Sequence, residues 1–231
     1  MIKKMIALFT IVILIGSCNG QTMSLDKAAL DLEHLDFSTR VSALLPERTR
    51  EKKYDGWYQV KSSSIEKVTV YDDEFGEDRK PIWTEYRQRS FSSRDELAKI
   101  NKFGFNTVNM AVALDGELMV VNGVAGRMTL SEIEEFVKLL SKKYGEAIRT
   151  KGEFMKPFDI YTWKLKDRLI KYVPLFDDEA GTLNVVIDRD KQSIQGGVKQ
   201  PHYKGLVFVV NHKHADKVVG NFHTGELLYC Q

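Results

Sequence analysis

Between Thr129 and Gly145 the apolar residues recur at intervals of three and four: Leu130, Ile133, Phe136, Val137, Leu140 and Tyr144. That spacing gathers them on one stripe of an α-helix. Thr129-Leu130-Ser131-Glu132 in front of the run is a capping box, whose Thr oxygen and Glu carboxylate each satisfy a backbone N–H left free at a helix start. Gly145 behind it supplies a left-handed stop. The same signs predict a helix over 93–103, with Ser93-Arg94-Asp95-Glu96 as the box, Leu97, Ile100 and Phe103 as the stripe and Gly104 as the stop. Leu25, Ala28, Ala29, Leu32 and Leu35 behind a Ser24 cap predict a third, shorter one.

Elsewhere from Trp57 onward the pattern is that of strands. Val108 to Leu114 and Leu118 to Val124 flank Asp115-Gly116, a strong hairpin signal. Ile160 to Leu165 and Leu169 to Val173 form another pair turning at Lys166-Asp167, with Tyr161, Trp163 and Leu165 on one face. Leu183 to Ile187 and Leu206 to Val210 add two more. Strands mostly adjacent in sequence, with helices between groups of them, predict an α+β fold with a mainly antiparallel sheet. Tyr71-Asp72-Asp73-Glu74-Phe75-Gly76 and Phe176-Asp177-Asp178-Glu179-Ala180-Gly181 share aromatic-Asp-Asp-Glu-x-Gly, which raises the idea of two related α+β units.

The start of the chain reads differently. Lys3 and Lys4 precede an apolar run from Met5 to Ile15, and Gly16, Ser17 and Cys18 follow. A basic start, a short apolar stretch and a small-residue exit are the parts of an export signal, and the run is too short to span a bilayer. Ile15-Gly16-Ser17-Cys18 resembles the lipobox of bacterial lipoproteins, with Ile in place of the usual Leu and Gly-Ser in place of Ala-Gly or Ser-Gly. The resemblance implies cleavage before Cys18, acylation of Cys18 and a lipid bilayer as partner. Asn19, where an Asp favours inner-membrane retention in such families, implies the outer membrane. The alternative is ordinary secretion, with cleavage after Gly20 and a soluble product. The expected organisation is thus a cleaved signal over 1–17, a polar tether with a short helix over 18–53 and a globular body over 54–231, with a sub-boundary near 125–130.

Losing residues 1–17 removes two lysines and no acids, so 34 basic residues become 32 against 32 acidic ones. A neutral chain without a basic stretch lacks the electrostatic footprint of a nucleic-acid binder. Only Cys18 and Cys230 exist, so acylation of the first leaves Cys230 without an intramolecular partner; the expectation is a small buried residue on a closing strand.

Candidate chemistry is sparse. His212, His214 and His223 could supply three ligands to Zn²⁺ with an open fourth position, if 212–214 is extended and His223 lies on a neighbouring strand. That would make a metal-dependent hydrolase; a solvated turn is the competing reading. The acidic turns after Tyr71 and Phe176 offer oxygen ligands but lack the EF-hand alternation. Ser64-Ile65-Glu66-Lys67 has Ser-x-x-Lys without the accompanying penicillin-site motifs, and no nucleophile elbow, Walker loop or dinucleotide fingerprint is present. Aromatics in strand-like segments, notably Trp57, Trp83, Tyr161 and Trp163, could form a recognition face. The leading expectation is therefore an exported, lipid-anchored, non-catalytic binding module without a cofactor, acting on a protein or envelope partner. An immunity-type lipoprotein that neutralises a toxin would be one form of it.

Overall fold

Leu118 to Val121 and Leu206 to Val210 are apolar at every position, so each of these segments needs cover on both faces if it is a strand. The computed structural model describes residues 23–72, 78–89, 94–179, 185–188 and 193–231. Its strands, in chain order, are β1 (Leu30–Asp31), β2 (Trp57–Val60), β3 (Ser63–Tyr71), β4 (Pro81–Gln88), β5 (Ala98–Ile100), β6 (Phe103–Phe105), β7 (Thr107–Val112), β8 (Leu118–Met128), β9 (Ile148–Phe154), β10 (Lys156–Lys164), β11 (Arg168–Asp177), β12 (Val185–Asp188), β13 (Ser193–Gly196) and β14 (His202–Asn211). Helices α1 (Val41–Leu44), α2 (Leu130–Tyr144) and α3 (Ala215–Val218) complete the list, with single 3₁₀ turns at Glu47–Thr49, His212–His214 and Gly225–Tyr229.

Nine strands form one antiparallel sheet in the order β2-β3-β4-β7-β8-β14-β11-β10-β9. Two meanders thus run inward from opposite edges and meet where β8 pairs with β14. The predicted hairpin at Asp115-Gly116 is present, with Gly116 at φ 88° and Gly116 N donating to Ala113 O. The turn at Lys166-Asp167 is also present, closed by Leu165 N donating to Arg168 O. The fold is dominated by antiparallel sheet, and among the described residues α2 is the only α-helix longer than four residues.

Helix α2 matches its predicted span and capping box, but of the predicted stripe Leu130 is exposed. Glu132 N donates to Thr129 Oγ1 at 3.2 Å while Thr129 N donates to Glu132 Oε2 at 2.7 Å, and Gly145 ends the helix at φ 88°. Its buried face, Ile133, Phe136 and Leu140, lies on one side of the sheet among Val121, Ile170, Tyr172, Val207 and Val209. The C-terminal segment covers the opposite side, where Ala215, Val218, Phe222, Leu227 and Cys230 pack on Val120, Leu206, Phe208 and Val210. Cys230 is buried, as expected, but it follows a 3₁₀ turn and lies on no strand.

Two predicted helices are replaced by sheet. The helix over 93–103 is instead a hairpin of β5 and β6, in which Ile100 pairs with Phe103 around a two-residue turn and Asn101 takes φ 51°. Ser93 lies outside the described residues, and the Asp95 carboxylate accepts from Ser62 N. Burial alternates along Ala98, Lys99 and Ile100, so the three-residue recurrence of Leu97, Ile100 and Phe103 coincided with a period of two. The helix over 24–35 is likewise absent. Asp31 Oδ1 accepts from Glu33 N and His34 N, and Asp36 Oδ1 accepts from Ser38 N, local bonds that compete with helix formation. In its place β1 pairs in parallel with β5.

The same segment corrects the expected boundary at residue 54. Leu25, Leu30, Leu32, Leu35, Phe37, Val41, Leu44 and Leu45 are all buried in the cluster beneath α2. The segment expected as a tether is part of the core, and the globular body begins by about Leu25. The acidic echo does not mark equivalent positions either: β3 lies three places from the β8–β14 centre and β11 lies next to it. Residues 73–77 and 180–184 of the two turns lie outside the described residues.

Two outcomes follow. A chain starting at Lys52 loses those eight core residues and is expected to show no cooperative thermal transition by circular dichroism. Phe136→Ala, which removes a ring packed on Phe103, Phe105 and Tyr172, is expected to lower stability by about 3–5 kcal/mol in urea titration.

Candidate binding site

The C-terminal segment covers its side of the sheet over β8, β14, β11 and β10 and reaches Trp83 on β4, but leaves a hollow beside it at β3 and β4. A cavity of about 560 Å³ remains there, lined by Val70, Tyr71, Asp72, Ile82, Trp83, Glu85, Arg87, His223 and Thr224. Strand alternation places Trp83, Glu85 and Arg87 on the same face of β4. Glu85 is 2% exposed, so its carboxylate needs donors. It has two: Trp83 Nε1 donates to Oε1 at 2.9 Å, and Arg87 Nε donates to Oε2 at 2.6 Å. The bond through Nε fixes the guanidinium plane, and among the described residues Nη1 and Nη2 of Arg87 have no partner. Lys217 Nζ sits 5.9 Å from the Trp83 ring centroid and donates to Ile82 O, while Phe222 meets the same ring edge-on at 5.6 Å. Thr224, opposite β4 on the wall, has its hydroxyl buried without a hydrogen-bond partner.

Arg87 is also one end of a polar row that crosses this face of the sheet. Beside it Asn109 Oδ1 accepts from Gln88 N, Asn109 Nδ2 donates to Asn122 Oδ1 at 2.9 Å, and Asn122 Nδ2 donates to Val207 O at 3.0 Å. Register continues the row through Phe208 to Lys171 and Thr162. Lys171 is 7% exposed and donates to Thr162 Oγ1 at 3.1 Å, and among the described residues no carboxylate pairs with it. Burial pushes its ammonium below the ordinary lysine range, against a smaller opposing effect of Cys230, and burial likewise pushes the Cys230 thiol up to about 12.

The histidines do not converge. His212 and His214 lie on a 3₁₀ turn: His212 Nδ1 is 3.3 Å from Lys166 O, whereas His214 Nε2 is 3.2 Å from Glu117 Oε2. His223 stands on the cavity wall instead. Among the described residues no group of three or more His, Cys, Asp or Glu side chains is placed to hold a metal ion. The four aromatics do not share a face. Trp83 is buried beneath the C-terminal segment, Trp163 on the α2 side, Tyr161 half-buried beside Trp163, and Trp57 on edge strand β2 against Tyr54. Trp163 Nε1 is itself buried without a partner. The acidic residues of the second turn are held in ion pairs, Asp177 with Lys204 at 2.7 Å and Glu179 with Arg127 at 2.5 Å. Cys18 lies outside the described residues.

Inspection of the sequence found Trp83 but not its partners. The signal was the two-residue repeat Trp83-x-Glu85-x-Arg87, an aromatic, an acid and a base on one side of one strand. The wall formed by His223 and Thr224 comes from well over a hundred residues later and carries no local sign. No protein-family model, curated protein or solved structure matches the chain.

The unpaired lysine yields a pH-dependent prediction. With its folded pKa lowered, Lys171 costs stability at neutral pH, and that cost falls as pH rises towards the unfolded value of about 10.4. Lys171→Met is expected to gain roughly 1 kcal/mol at pH 7 in urea titration, with the gain shrinking by pH 10.

Proposed function

We propose that this protein is an exported, lipid-anchored binding module that works without catalysis, held to the cell envelope through acylated Cys18. The observation that supports the binding part is the cavity beside β4. Its carboxylate and guanidinium are locked to each other through Glu85 Oε2 and Arg87 Nε, an arrangement suited to holding a ligand and poorly suited to moving a proton. The lipobox-like Ile15-Gly16-Ser17-Cys18 supports the anchor. Leu25 is already part of the core, so only residues 19–24 separate Cys18 from the folded body. Fully extended, they reach about 20 Å, which would keep the body close to the membrane surface. We keep the chain in the α+β class, with each meander followed by a helical segment.

Expression of the full chain in a Gram-negative host fed radiolabelled palmitate tests the anchor. Label on the protein and recovery in the membrane fraction are expected, with both lost in Cys18→Ser. An unlabelled Cys18 protein recovered in the soluble periplasm would contradict it.

A further inference from the structure

Some charged groups in the other hollows on the surface are already paired. In the cleft between Arg94 and Arg127, Arg127 is bound to Glu179, and the aromatic hollow around Phe154, Phe176 and Tyr203 is edged by Lys151, which is bound to Asp159. The β4 cavity differs in having a fixed guanidinium with its two terminal nitrogens unpartnered and a buried hydroxyl without a bond. The Arg87 side chain is 16% exposed and lines the open volume, so a ligand would take the place of water at its terminal nitrogens, whereas the Thr224 hydroxyl is the buried group whose unmade bond is costly.

We propose that the β4 cavity binds a ligand carrying a carboxylate on an apolar or aromatic body, the carboxylate on the Nη1 and Nη2 fork of Arg87 and the body against Trp83, Ile82 and Val70. This rests on the binding-module reading. Arg presents a planar pair of donors that matches a carboxylate bidentately. Glu85 offsets the charge of Arg87, and Asp72 adds a negative charge to the lining, so the cavity disfavours a dianion such as phosphate more strongly than a monoanion. A planar monoanion keeps the geometric match and meets less of that repulsion. Because Glu85 holds Arg87 through Nε, the fork is fixed before the ligand arrives, which lowers the ordering cost of binding.

The test is titration of the protein from residue 19 onward with 3-phenylpropionate, its neutral amide and phenyl phosphate. Calorimetry and the Trp83 indole N–H signal in ¹H–¹⁵N spectra are the readouts. Binding of 3-phenylpropionate with movement of the Trp83 signal is expected, with at least about tenfold weaker binding of the amide and of phenyl phosphate. Arg87→Lys, which keeps the charge beside Glu85 but removes the fork, is expected to weaken binding about tenfold while the protein still unfolds cooperatively; Ile82→Ala, which leaves the Glu85 pair intact and takes away part of the apolar wall, is a second variant expected to weaken it severalfold. An N-acetylated tripeptide ending in Phe, against its C-terminal amide, separates the sources of the carboxylate: preference for the peptide acid assigns a chain terminus, preference for 3-phenylpropionate a small molecule. Equal binding of acid and amide, binding indifferent to both variants, or no movement of the Trp83 signal at 10-fold molar excess and above, up to solubility, would overturn the proposal. The protein used lacks the signal, so these results are independent of whether Cys18 is acylated.

Discussion

The two central strands dictate the rest of the architecture. Strands β8 and β14 pair with each other and present apolar side chains on both faces, Val121, Val207 and Val209 on one and Val120, Leu206, Phe208 and Val210 on the other. A sheet apolar on both sides is stable only when both are covered, since each buried aliphatic side chain is worth about 1.5–3 kcal/mol and is lost if left in water. One cover is α2 with residues 25–45; the other is the C-terminal segment from His212 to Gln231. Neither the start nor the end of the body can then be an appendage.

The second cover is the shorter of the two in apolar content, and its limit determines where chemistry can occur. Over β14, β11 and β10 it buries hydrophobic side chains. At β4 it reaches Trp83 through Phe222 and then ends, leaving a cavity whose floor is polar. The polar row from Arg87 through Asn109 and Asn122 runs beneath this boundary, with each asparagine amide bonded to its neighbour or to backbone. A bonded row of this kind tolerates burial, whereas Lys171 at its far end, with only the Thr162 hydroxyl, does not gain the same compensation. Arg87 occupies the one place in the row where a charged group meets an open volume.

Local signals were legible wherever local physics decided the outcome. The Thr129 capping box, the α2 stripe, the Asp115-Gly116 turn and the Lys166-Asp167 turn depend on neighbours within a few residues, and the structure has all of them. The helix over 93–103 failed because Leu30 N and Leu32 N bond to Leu97 O and Lys99 O, partners some 67 residues away that no local pattern reveals. Its apolar spacing fits a helix stripe and a short hairpin equally. The site was legible only in part: Trp83 was visible as an aromatic, but its value lies in Glu85 and Arg87 beneath the same cover, and in Thr224 reaching back from the far end of the chain. His212, His214 and His223 looked like a set because they are close in sequence, but on their 3₁₀ turn His212 and His214 meet different partners, and His223 lies beyond α3.

Amide hydrogen exchange, followed residue by residue, tests the doubly covered sheet most directly. Leu30 and Leu32 should exchange as slowly as Val207 and Val209, by global unfolding alone, because all four amides belong to one cooperative core. Exchange at Leu30 and Leu32 many orders of magnitude faster than at Val207 would show that residues 25–45 are a loose tether, and would contradict the account of how this sheet is covered.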